Sequence, residues 1–160
     1  MRRLILIRHA KSAWDSPNLS DHDRTLAPRG RRGAAWIGET LRAHSWLPDA
    51  VLCSTAVRTR QTVELAEITA PVTFDREIYD LREDDFIDLI RRKGGAAPVL
   101  ALVGHNMAME RTALLLAEDD ADFGGYPTGA IAVFDFAIED WSELREGSGR
   151  IEAFRRPPKE

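Results

Sequence analysis

Cysteine is nearly missing from this sequence. Cys53 is the only one in 160 residues, so no internal disulfide and no cysteine-rich metal site can be built. Long apolar runs are missing too. The start, MRRLILIRHA, has an apolar stretch of only four residues. That is too short for a secretory signal, and no later run reaches the length of a membrane span. The expectation is a cytoplasmic protein without membrane attachment. An excess of positive charge is also absent. Lys and Arg number 22 against 26 Asp and Glu, for a formal net charge of -4. This argues against a general nucleic-acid binder but leaves room for a local basic pocket. There is no Walker loop and no dinucleotide glycine fingerprint. What remains, 44% hydrophobic and 30% charged, has the balance of an ordinary globular chain. Its length suits one domain over residues 1–160, with no repeat or long linker.

Six short apolar segments stand out, at residues 4–7, 50–53, 72–74, 99–103, 130–136 and 151–154. The first and fourth are almost continuously apolar, as strands buried on both faces should be. Between them lie helical stretches. RGRRGAAWIGETLRAH follows Pro28, which suits a first helical turn, although Gly30, Gly33 and Gly38 each weaken a helix interior by up to about 1 kcal/mol. RTRQTVELAE, DDFIDLIRRK and MAMERTALLLAE follow. The third of these four stretches begins acidic and ends basic, which matches the helix macrodipole. The alternation predicts an α/β protein, a three-layer α/β/α sandwich with a mostly parallel central sheet. EDDADFGG reads as a solvated loop, and residues 155–160 as an irregular tail.

In an open parallel sheet, ligands bind beyond the carboxyl ends of the strands. Arg8-His9 follows the first apolar run. STAVRTRQT, with Arg58 and Arg60, follows the second, and Gly104-His105-Asn106 follows the fourth. Imidazoles can hold metals, but adjacent guanidinium groups oppose a divalent cation. Arginine instead matches phosphate oxygens with a planar, always charged fork. The expected ligand is therefore a phosphoryl group, and no metal or cofactor is called for. A neutral imidazole beside it can attack phosphorus and form a phosphohistidine intermediate.

Other residues have plainer readings. Lys11 and Ser12 either line the pocket or sit in a solvated loop. Arg60 points off its helix, and Asn106 caps the next one. His22, in SDHDR, reads as part of a polar loop, and His44 as the end of a helix. The four tryptophans, at 14, 36, 46 and 141, read as packing residues. Cys53 and Arg58 are separated by four residues rather than the five of a tyrosine-phosphatase loop, so Cys53 reads as a small buried residue.

Arg8-His9-Ala10 resembles the Arg-His-Gly signature of the histidine phosphatase superfamily, the phosphoglycerate mutase-like proteins, with Ala in place of Gly. STAVRTRQT is similar to that family's second arginine motif and GHN to its second histidine motif, in the family's order. RHAKSAWD, DHDRTLAPRG and YPTGAIAVFDF further resemble the small SixA-type phosphohistidine phosphatases. The resemblance implies a phosphoglycerate mutase-like fold and a metal-independent hydrolase. It implies His9 as nucleophile, Arg8 and Arg58 as phosphoryl ligands, His105 as a further phosphate ligand and Arg24 as a substrate contact. The implied partner is a histidine-phosphorylated protein.

Many phosphoesterases of that superfamily carry a Leu-x-Glu-Gly element whose glutamate is the general acid. Here Leu81-Arg82-Glu83 matches the triplet without a following glycine, so Glu83 reads as part of a helix start, with Glu77 and Asp80 as other candidates. An alkoxide leaving group needs a proton. Imidazole, with a reference pKa of about 6.5, leaves with less help. A missing acid tilts the substrate toward phosphohistidine. The alternatives are a phosphoester hydrolase on a small metabolite or nucleotide, and a non-catalytic module that binds a phosphorylated residue.

Overall fold

The computed structural model describes residues 1–159. Its strands are β1 (Arg2–Arg8), β2 (Ala50–Ser54), β3 (Val72–Asp75), β4 (Val99–Gly104), β5 (Ile131–Phe136) and β6 (Arg150–Arg155). Its helices are α1 (Pro28–Ala43), α2 (Val57–Leu65), α3 (Arg76–Asp80), α4 (Phe86–Lys93) and α5 (Ala108–Leu116). All six apolar segments form strands, and they join one sheet in the order β3-β2-β4-β1-β5-β6. β1, β2, β3 and β4 pair in parallel. β5 runs antiparallel to both of its neighbours, so it alone opposes the common direction.

The continuous apolar character of β1 has a direct cause, because successive strand residues point to opposite faces. Leu4 and Leu6 join one core with Leu52, Leu100, Leu102, Phe86, Ile90 and Met109, beneath α4 and α5. Ile5 and Ile7 join the other with Cys53, Val103, Ile37, Leu41 and Val63, beneath α1 and α2. All four β1 residues are fully buried, each worth about 1.5–3 kcal/mol relative to exposure. The result is three layers.

Pro28 occupies the first turn of α1 as expected. Gly30 and Gly38 lower helix propensity, but each allows a close approach. A Cβ on Gly30 would lie 1.8 Å from the Lys11 carbonyl oxygen, and one on Gly38 would lie 2.0 Å from that of Ala66. The helix thus rests directly on the chain that follows His9.

Several expectations need correction. Trp14 does not pack into the core. It is 73% exposed, and the Arg24 guanidinium lies 3.5 Å from its ring centre. Glu83 lies in the turn before α4 rather than in the helix, whose N-cap is Asp85. The acidic segment 118–125 is irregular, yet Phe123 within it is buried against Tyr126 and Phe154. The tail was expected to start at residue 155, but Arg155 ends β6. Beyond it Arg156 donates to the carbonyls of Phe123 and Gly125, and Glu160 lies outside the described residues. The helix α3 and the 3-10 turns Asp21–Asp23 and Trp141–Glu143 had no counterpart in the sequence reading. Among the described residues no helix is long and apolar enough to cross a membrane.

Candidate active site

Strand register brings the two histidines together. Arg8 sits beside Gly104 in the β1–β4 ladder, so the next residues, His9 and His105, leave neighbouring strands at the same level. Their ring centres are 5.2 Å apart. β2 ends on the other side of β4 and delivers Ser54 and then Arg58, near the start of α2. Arg58 Nε points at His9 Nε2 from 3.4 Å.

Local bonds fix these positions. The His9 amide donates to Gly104 O at 3.0 Å. The Ala10 amide donates to Thr62 Oγ1, whose own proton goes to Arg58 O, which fastens the His9 segment to α2. The Gly129 amide is shared by the carbonyls of Arg8 and His9 at 3.1 and 2.9 Å. Gly129 reaches them with φ of 80°, a conformation that costs a residue with a Cβ but not glycine.

The His9 ring is aligned for attack. Its Nδ1 lies 2.7 Å from Ala10 O. A carbonyl only accepts, so the proton is on Nδ1 and Nε2 keeps its lone pair. His9 is buried, and burial is the main reason its pKa falls well below the usual imidazole value; His105, Arg58 and Arg8 push the same way, while the Ala10 carbonyl opposes them. His105 is lowered to about 3, again chiefly by burial and then by Arg58. Both rings are neutral at pH 7. His105 Nε2 lies 2.8 Å from Ser54 Oγ. That oxygen also accepts from the Ala56 amide and can turn its own proton to His105 Nε2, the arrangement in which the imidazole proton sits on Nδ1.

Two buried atoms in this cluster have no partner, Arg8 Nε and His105 Nδ1. Buried donors left unpaired cost about 1–3 kcal/mol. A phosphoryl oxygen is the kind of acceptor that would satisfy them. Arg8 is steadied at its other end, where Nη1 donates to Tyr126 O at 2.8 Å.

The remaining candidates divide. Arg24 joins the cluster through Asp21, whose Oδ1 accepts from Arg24 Nε at 3.2 Å. Ser12 is buried and accepts from Arg24 Nη1 at 3.0 Å, so it contacts that arginine side chain and is not tied to the histidines. Lys11 lines a different cleft of about 540 Å³, with Arg29, Trp36, Pro127 and Arg156 among its walls. Asn106 accepts from the Glu110 amide at 3.0 Å, consistent with a cap on α5. Arg60 is exposed and donates to Thr55 O. Cys53 is fully buried, and burial pushes its thiol up to about 12.

None of the three proposed acids is drawn to the histidines. Glu77 is held by Arg92 at 2.9 Å and by Lys93 at 2.8 Å. The Arg92 hydrogen bond, then that of Lys93, lowers it to about 2. Asp80 pairs with Arg76 at 3.2 Å, and Glu83 is exposed.

The carboxylate that does approach is one the sequence reading passed over. Asp21 accepts from Arg58 through its backbone oxygen at 2.6 Å and through Oδ2 at 3.1 Å. Tyr79 donates to the same Oδ2 at 2.6 Å. That bond, followed by Arg58 and Arg24, lowers Asp21 to about 2. His22, read as part of a polar loop, lies 2.8 Å from Thr55 Oγ1 and meets the Tyr79 ring edge-on at 4.8 Å.

The family model of the histidine phosphatase superfamily, branch 1, matches residues 4–92. The chain belongs to that superfamily. Its most similar structures include a proposed phosphohistidine phosphatase SixA from Nakamurella multipartitia, with a TM-score of 0.86 and 29% identity over 98% of this chain and 96% of that one. Another, from Agrobacterium tumefaciens, gives 0.81 and 31% over 98% and 99%. An uncharacterized protein of Mycobacterium tuberculosis is 38% identical over 94% of this chain and 99% of its own. Within the superfamily the chain is SixA-like, and its fold is phosphoglycerate mutase-like, with the mostly parallel sheet that was expected.

Proposed function

We propose that this SixA-like chain is a metal-independent phosphatase that removes the phosphoryl group from phosphohistidine in a protein, through a phospho-His9 intermediate. Arg8, Arg58 and Arg24 hold the phosphoryl oxygens, and His105 donates to one of them from Nδ1. His9 Nε2 attacks phosphorus as the bond to the leaving nitrogen breaks, and the electron pair of that bond returns to the leaving nitrogen. Water then adds to phosphorus and the P–Nε2 pair returns to His9. The His9 proton stays on Nδ1, hydrogen-bonded to Ala10 O throughout, which keeps the phosphorylated ring cationic and a good leaving group for the second step. Phosphoryl transfer of this kind needs positioning and charge stabilisation more than covalent chemistry from the protein.

One observation carries the choice of phosphohistidine over an ester. The carboxylate bonded to Arg58 and Arg24, Asp21, is held ionised by Tyr79, Arg58 and Arg24, so it has no proton to give to an alkoxide. The names of the SixA-type structures point the same way.

The test compares phosphate release from a histidine-phosphorylated protein with release from p-nitrophenyl phosphate, with and without EDTA, in wild type and His9→Ala. Preference for the phosphoprotein, insensitive to EDTA and lost in His9→Ala, is the expected result. Preference for the ester would move the substrate to small phosphoesters. Full turnover by His9→Ala would remove the nucleophile assignment, and tight phosphate binding without any turnover would indicate a binding module.

A further inference from the structure

The turn carrying Asp21 stands on the open side of the cluster. The Asp21 side chain is 53% exposed, whereas His9 is 6% exposed. Arg58 lies between them, with Nε toward His9 Nε2 and its terminal nitrogens on Asp21. In-line transfer puts the leaving atom on the far side of phosphorus from the nucleophile. His9 attacks from the buried sheet edge, so the leaving group must extend toward the opening where Asp21 stands.

That opening has flat walls. Tyr79 lies edge-on to His22 at 4.8 Å and to His105 at 5.5 Å. Once a phosphoryl group draws the Arg58 fork to itself, the Asp21 carboxylate is released toward whatever occupies this space. A fixed negative charge there repels the electron-rich oxygen of an ester leaving group and attracts a cation.

We infer that Asp21, with the Tyr79 and His22 rings beside it, receives the leaving group and selects one that is flat and positively charged, the protonated imidazole of phosphohistidine. This rests on the phosphohistidine reading above and assigns its selectivity to residues. The carboxylate accepts a hydrogen bond from the ring nitrogen that does not carry phosphorus. His9 Nε2 bonds to phosphorus, and the P–N pair neutralises the leaving ring. The ring departs as neutral imidazole with its proton already in place, so no acid is required.

Asp21 is faced by Arg24 beyond its own turn, Arg58 from α2, Tyr79 from α3 with Arg76 stacked on it, and His105 from the end of β4. Of the two imidazoles near Asp21, His105 holds the phosphoryl group and His22 does not, so His22→Gln is the control for any pH effect. An opposite charge in contact raises an imidazole pKa by about 1–3 units.

The experiment measures kcat against pH, which reports ionisation in the bound complex, together with kcat/KM at pH 7, for phosphoimidazole and p-nitrophenyl phosphate in wild type, Asp21→Asn and His22→Gln. In wild type the basic limb for phosphoimidazole is expected to lie about 1–3 pH units above the pKa of the free compound. Asp21→Asn should bring that limb down by about one unit or more and shift the ratio of the two substrates at least about tenfold toward the ester. His22→Gln should keep the elevated limb. A wild-type limb at the free compound's own pKa overturns the inference without any variant. Equal losses on both substrates in Asp21→Asn, with the limb unmoved, also overturn it and leave Asp21 as a positioning residue for the arginines. Wild type that hydrolyses the ester but not phosphoimidazole removes the phosphohistidine reading itself.

Discussion

Replacing Gly30 with alanine tests whether the contact between α1 and the chain after His9 sets the position of the nucleophile. The new Cβ would sit 1.8 Å from Lys11 O and 2.7 Å from Lys11 C, both backbone atoms that no side-chain rotation can move. Helix and loop must part by roughly 1.5 Å to reach ordinary van der Waals separation. Two energies compete. The substitution gains up to about 1 kcal/mol of helix propensity, and overpacking costs about 1–3 kcal/mol. A net loss of about 0–3 kcal/mol follows, small enough for the protein to remain folded. The effect on rate should be larger. Lys11 follows Ala10, whose carbonyl fixes the His9 tautomer and whose amide is fastened to Thr62, and a 1 Å misplacement at a reacting group costs about a hundredfold. Two neighbouring glycines serve as controls. A Cβ on Gly33 meets only Ala10 Cβ, at an ordinary 3.8 Å, so Gly33→Ala should gain up to about 1 kcal/mol and keep its rate. Gly38→Ala, 2.0 Å from Ala66 O on the α2 side, should lose stability and keep its rate. Urea midpoints and kcat for the three variants are the assay. If Gly30→Ala matched Gly33→Ala in kcat, the claim that this contact positions His9 would be wrong.

Three other outcomes follow from the structure. Arg58→Lys keeps the charge but loses the fork that spans His9 and Asp21; at about 1.5–3 kcal/mol for each charge-assisted bond, kcat/KM should drop at least about tenfold while the urea midpoint moves little. His9 and His105 are both held below the unfolded imidazole value of about 6.5, His105 at about 3. The unfolded chain therefore binds protons that the folded one refuses. Stability is complete above pH 6.5 and declines as pH falls toward 3, by roughly 1 kcal/mol per pH unit for each histidine; urea titrations at pH 7, 6 and 5 should show this, with a shallower slope in His105→Asn. Asp135 is buried on β5 and takes two bonds from Arg3, at 2.8 and 2.9 Å, and one from Arg150 at 3.1 Å. Because Arg3 is 28% exposed, Asp135→Ala should cost less than a fully buried pair, about 1–3 kcal/mol, and leave kcat unchanged. An unaltered thermal midpoint would show that the partners rehydrate without penalty.

The central parallel strands and the histidine pair were legible because each is written in a contiguous stretch. Residues 4–7 and 99–103 must be buried on both faces, and the charged residues that follow them have nowhere to go but the sheet edge. The direction of β5 was not legible. Its residues are all buried, and a fully buried strand has the same composition whether it runs parallel or antiparallel to β1. Ser54 had a weak signal, as the residue between an apolar strand and an arginine motif. Asp21 opens the DHDRTLAPRG stretch but had no reading of its own, and Tyr79 had no signal. They are 58 residues apart, one in a polar loop and the other in a short helix with no apolar periodicity, and only the tertiary fold puts Tyr79 on Asp21 and Asp21 on Arg58.

That placement bears on the acid problem posed by the sequence. The stretch after β3 carries Glu77, Asp80 and Glu83, and none of these carboxylates is drawn to the histidines. The same stretch supplies Tyr79, whose hydroxyl donates a hydrogen bond to Asp21 and helps to keep that carboxylate ionised. A phosphoesterase needs a group at this place that holds a proton until the leaving oxygen asks for it. Here a tyrosine and two arginines do the opposite. Restoring an ester-cleaving acid would therefore require more than adding a carboxylate near His9. The added group would also have to escape the guanidinium field, which would ionise it as it ionises Asp21. Tyr79→Phe removes the largest of these influences and lets Asp21 rise from about 2 toward the ordinary value of about 3.9, still ionised at neutral pH, so the rate on p-nitrophenyl phosphate should not rise, whereas a large gain with that variant would show that Asp21 can carry a proton to the leaving oxygen.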